Sequence, residues 1–84
     1  MNSTMTKDEL VDKMEEELRF KGCGYYGSTS YKLIMWAYDD NDSPAIERVH
    51  NGNREIFVGN AYGRFQTFDS AIEWARFDAK FDLS

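Results

Sequence analysis

Asn51-Gly52 is the feature that most constrains this chain. It stands between AIERVH (45–50) and REIFV (54–58), two short segments rich in branched and aromatic residues. Asn-Gly accepts positive φ at both central positions of a two-residue turn, whose twist matches that of the strands it joins. An antiparallel hairpin follows. A two-residue turn sets Arg48 opposite Glu55 and Ile46 opposite Phe57, one ion pair and one apolar pair. A bulged turn would slip that register by one residue and turn every side chain over. An isolated hairpin is at best marginally stable in water, so the rest of the chain must extend and cover it.

The extension is YKLIMWAY (31–38), a strand bounded by turn formers. One face carries Tyr31, Leu33, Met35 and Ala37 and the other Lys32, Ile34, Trp36 and Tyr38, so both are largely apolar, unlike an antiparallel strand with one wet face. DDNDSP (39–44) reads as a turn ending in Pro44, GCGYYGSTS (22–30) as a glycine- and serine-rich connection, and GNAYGRFQ (59–66) as a loop with a short extended piece at 64–66. Two helices provide the cover. Thr6 and Glu9 form a capping box, and Leu10, Val11, Met14 and Leu18 repeat at helical spacing, which predicts a helix over 7–21 stopped by Gly22 and Gly24. Thr67 is a good N-cap for a second helix, in which Phe68, Ala71, Ile72, Ala75 and Ala79 lie on one side while Trp74, Phe77 and Phe81 lie on another flank. Asp78 and Asp82 oppose the helix dipole there and predict a frayed last turn. The fold class expected is α+β, in the order α-β-β-β-α: a three-stranded antiparallel meander with both helices packed on one face. Residues 1–5 are expected to be a disordered tail on a single domain spanning 6–84.

Eighty-four residues support one core and not two. No apolar run reaches the ~20 residues that span a bilayer, and the polar start MNSTMTKDEL lacks the pattern of a secretory signal. Cys23 is the single cysteine, so no internal disulfide can form and a reducing, cytoplasmic setting is expected. The formal charge is −5. That argues against general phosphate-backbone binding, which needs clustered Lys and Arg, and suits a basic protein partner.

The residues that could carry chemistry form no catalytic constellation. His50, the single histidine, reads as a solvated turn residue without convergent partners. Cys23 lies between glycines with no base in sequence reach. Asp39, Asp40, Asp42 and Glu47 are dense, but Ser43 and Pro44 fall where a calcium loop wants ligands and glycine. No metal, cofactor or phosphate-binding motif is present, and an enzyme is not expected.

The functional signal is an aromatic surplus: two Trp, five Tyr and six Phe. Each buries ~150–250 Å² when inside, more than a small core readily absorbs. Sheet and helix aromatics left outside would form an interaction surface. The residues expected to carry it are Trp36 and Tyr38 with Asp39, Asp40 and Asp42, together with Trp74, Phe77 and Phe81 on the second helix. Three uses are expected in turn: occlusion of a protein partner, homodimerisation, or nucleic-acid binding should Lys32, Arg48, Arg54 and Arg64 converge on the sheet.

The element order resembles that of double-stranded RNA-binding domains. Those start their last helix with lysines, where this chain has TFDSAIEWAR. The stretch from Tyr31 to Ala75, entered through YGRFQTFDSAIEWA, is similar in order to AP2-like arm-binding modules of phage integrases, whose sheets are basic. In size, acidity and spare aromatics the chain also resembles the short single-domain proteins of phages and mobile elements, anti-CRISPR proteins among them, which block a nuclease complex by occupying its surface.

Overall fold

A computed structural model describes residues 5–38 and 40–82, and the backbone only of Tyr38. The expected tail therefore lies outside the described residues except for Met5. Helix α1 (Lys7–Lys21) opens on the capping box: Thr6 Oγ1 accepts from the Glu9 N–H at 3.2 Å and Glu9 Oε1 accepts from the Thr6 N–H at 3.0 Å. It ends at Gly22, left-handed at φ 76°, whose N–H reaches the Leu18 carbonyl at 2.9 Å.

The sheet has four strands: β1 (Cys23–Tyr26), β2 (Thr29–Tyr38), β3 (Asn41–His50) and β4 (Asn53–Phe57), an antiparallel meander in chain order. The expected meander and the one-sided helices stand, but the strand count was short by one. The glycine-rich segment 22–30 is not a connection. It holds β1 and a tight Gly27-Ser28 turn, and Gly24 is a packing residue: a Cβ there would lie 2.3 Å from the Met14 carbonyl oxygen, so the glycine lets α1 lie against the strand. The expected turn at 39–44 also contracts. Strand β3 begins at Asn41 and runs through Pro44, which pairs with Met35. The Asn51-Gly52 hairpin has the two-residue register, Arg48 opposite Glu55 and Ile46 opposite Phe57. A small second hairpin, β5 (Gly59–Asn60) with β6 (Gly63–Arg64), occupies the expected loop.

Helix α2 (Phe68–Phe77) is capped by Thr67, whose hydroxyl accepts from the Ser70 N–H at 3.1 Å. It runs antiparallel beside α1: Arg19–Asp69 (2.7 Å) and Arg76–Asp12 (2.7 Å) join the two helices, and Lys80, in the turn that continues α2, reaches Asp8 (3.3 Å). Val11, Met14 and Leu18 meet Ile72, Ala75 and Ala79 over Tyr31 and Ile46 in one buried cluster. The last turn does not fray. It continues as a π-helical turn, Asp78–Asp82, and Asp78 is buried. The Tyr31 hydroxyl donates to Asp78 Oδ2 at 2.7 Å, Arg48 Nη1 donates to both carboxylate oxygens at 2.8–2.9 Å, and Arg48 Nη2 reaches Glu55 at 2.7 Å. The sequence places Asp78 against the helix dipole, and the fold answers with a guanidinium from the sheet.

Candidate functional site

Register decides what the helices can cover. β1 pairs with residues 29–32 of β2, and β4 pairs with residues 46–50 of β3. Beyond those limits β2 and β3 go on alone, from Ile34 opposite Ala45 to Tyr38 opposite Asn41, closed by a turn in which Asp40 takes φ 65°. At ~3.4 Å per residue this two-stranded arm adds roughly 17 Å past Leu33. The molecule measures 52 Å along its longest axis and 24 by 23 Å across.

Side-chain alternation divides the arm. Tyr31 and Leu33 point at the helices; Met35 and Ala37 share that face but lie beyond it, and Met35 is 52% exposed. Trp36, five residues from Tyr31, is on the opposite face and 39% exposed. Asp42, opposite Ala37, and Asp40 are exposed near the tip. Asp39 and the side chain of Tyr38 lie outside the described residues. From Leu33 to Ile46 the sequence contains no Lys or Arg, so its three aspartates are uncompensated within the arm.

The second group of expected residues does not join the first. Trp74 is half-buried, 4.5 Å from Phe57 and 6.0 Å from Phe65 between ring centroids, so it caps the edge of the core. Phe77 and Phe81 are exposed and stack on each other at 4.6 Å. They flank Asp78, which is held by Tyr31, on the opposite side of the sheet from Trp36. An open cleft of about 630 Å³ separates this end of α2 from β5–β6, with Tyr62, 98% exposed, on its far wall and Glu73 and Asp82 among its polar lining. In the sequence Tyr62 reads as one turn aromatic among several; it stands at the tip of the β5–β6 hairpin, whose strands lie close together at Gly59, where a Cβ would be 2.2 Å from the Gly63 carbonyl oxygen.

The basic residues do not converge. Arg48 is mostly buried beneath the helices, 4.7 Å from the Phe57 ring centroid. Burial works to lower its pKa, but the bonds to Glu55 and Asp78 outweigh that and hold the guanidinium above its ordinary value. Burial and the Asp78 bond likewise push the Tyr31 phenol far above the usual tyrosine range. Lys32 and Arg54 are on the other face, where Arg54 pairs with Glu47 at 2.6 Å. His50 is not a solvated turn residue: Nδ1 lies 2.6 Å from Thr29 Oγ1 and Nε2 lies 3.2 Å from the Asn51 amide, which ties the lower ends of β2 and β3 together. Cys23 opens β1 directly after the Gly22 cap of α1, and its thiol, bonding with the Tyr25 hydroxyl, raises that phenol's pKa. Among the described residues no cluster of three or more His, Cys, Asp or Glu side chains is arranged to hold a metal ion, and no helix is long and apolar enough to cross a membrane.

No family model, curated protein or solved structure matches this chain.

Proposed function

We propose that this chain is a small acidic protein-binding module whose β2–β3 arm engages a basic surface of a protein partner and occludes it, in the manner of the short inhibitory proteins of phages and mobile elements. The observation that carries the reading is a Trp36 side chain left open to solvent on an arm with acidic residues and no cation of its own. Tryptophan is among the residues most enriched where interfaces hold their energy, and uncompensated acids speed and select a basic partner. Phe77 and Phe81 form a separate apolar patch, so the first surface can be tested without disturbing the second.

The experiment is capture of the partner from the native host with the purified chain, followed by affinity measurement on the isolated pair. Trp36→Ala should weaken binding by roughly 30-fold or more, as expected of an interface hot spot. Asp42→Lys should slow association and reduce its salt dependence. Unchanged binding by both variants would remove the arm from the interface.

A further inference from the structure

The two edges of the arm are not alike. The Leu33 N–H points away from β3 and donates to the Gly22 carbonyl at 2.8 Å, the last bond on that side before the edge opens. Antiparallel pairing alternates the direction of backbone groups, so Met35 and Ala37, two and four residues on, present their N–H and C=O groups to the same side. Pro44, opposite Met35, fits this phase because it has no N–H to give β3's own outer edge. Among the described residues no strand pairs with Met35 or Ala37 there.

Natural sheets blunt such edges with charge, proline or a bulge. The β3 edge does so, with Asp42 and Pro44. The β2 edge is LIMWAY, six residues with no charge and no proline. We infer that this edge is the seat of an extended segment of the protein partner, in which apolar residues alternate with Lys or Arg, added antiparallel or parallel to β2 as a further strand. Main-chain bonds to Met35 and Ala37 would supply affinity and the side chains of alternate residues specificity. The charge follows from the arm itself, acidic at its tip and without a cation. A second copy of the chain suits the edge less well: each carries a formal charge of −5, and Gly22 stops the mate's strand at Leu33. The inference rests on the reading of the chain as a protein-binding module and adds how the partner is held.

The test uses the intact chain and a short blocked peptide that alternates valine with lysine, followed by amide NMR and hydrogen exchange. Binding should slow exchange at the Met35 and Ala37 amides by about tenfold or more, while amides already paired in β3 change little. Met35→Pro removes the outward donor at a position that gives β3 no bond, as Pro44 does across from it, and should weaken peptide binding at least as much with the Tyr31 and Asp78 signals unmoved. Ala37→Pro is the second such variant, and exchange on the unaltered chain decides the matter if either variant loses the arm. A peptide with glutamate for lysine should bind more weakly. Equal binding by Met35→Pro, or protection that maps to α2 or the opposite sheet face, would overturn the inference, as would a stable dimer by light scattering that Met35→Pro dissociates. Host-partner binding that depends on Trp36 but ignores Met35→Pro would sink strand addition alone and leave the proposed function standing.

Discussion

Strands β2 and β3 are paired over ten residues each, yet their two halves live in different solvents. In the lower half Tyr31, Ile46 and Arg48 are roofed by the helices and flanked by β1 and β4, and Tyr31 and Arg48 are locked to Asp78. In the upper half the same hydrogen-bonded ladder runs out with no neighbouring strand among the described residues; Ala45 at its base is still buried, while Met35, Trp36 and Ala37 farther out are exposed. Backbone pairing alone therefore does not make a core. What distinguishes the halves is how far α1, α2 and the flanking strands reach, and the arm is what remains beyond them. The body is where stability concentrates, and the arm is where surface is left for a partner.

That contrast can be broken from the body side first. Asp78→Ala leaves Arg48 buried with only Glu55, and removal of one partner of a buried ion pair costs ~3–5 kcal/mol, a large share of the ~5–15 kcal/mol that holds a small domain. Urea or thermal unfolding should show a loss on that scale, while exchange of the arm amides at Met35 and Ala37 stays as fast as before. If the arm slowed or the loss were negligible, the two halves would not be energetically separate.

Tyr31→Phe is the milder version. It removes one hydrogen bond to a charged acceptor, about 1.5–3 kcal/mol at neutral pH. It also has a pH signature. The folded chain holds the Tyr31 proton more tightly than the unfolded chain, whose phenol titrates near ~10. The Tyr31 contribution is thus whole below that pH and declines as pH rises above it. Stability measured from pH 8 upward should fall more steeply in the parent than in Tyr31→Phe, and parallel curves would contradict the burial of that phenol.

The smallest effect belongs to the arm. Met35→Thr keeps a β-forming residue on an uncovered face and should change stability by no more than about 0.5 kcal/mol. A loss several times larger would mean that Met35 is packed in solution and that the arm is not open.

Local signals in this sequence were legible where one or two residues decide the outcome. Thr6 and Glu9 cap α1, Gly22 stops it, Thr67 starts α2 and Asn51-Gly52 turns β3 back into β4, because each acts through bonds within a few residues. The signals that misled were local signs with tertiary causes. Gly24 reads as a loop residue, yet it is there for the close approach of α1. Pro44 reads as the end of a turn, yet it sits in a strand whose outer edge needs no donor. Asp78 reads as a helix-ending liability, yet it is neutralised by Arg48 from thirty positions away. Of the proposed arm surface, Trp36 and the aspartates that follow it are legible in the sequence as candidates, while the exposed Met35, the tip residue Tyr62 and the bare β2 edge are not.

By itself the sequence determined the class of fold, the helix caps, the place of one hairpin turn and a high count of aromatic side chains. Only the tertiary structure decided which of those rings are hidden, because that depends on where the helices end along strands longer than they are. It places Trp74 half-buried against Phe57 at the edge of the core and leaves Trp36 39% exposed on the arm, two indoles that composition counts alike.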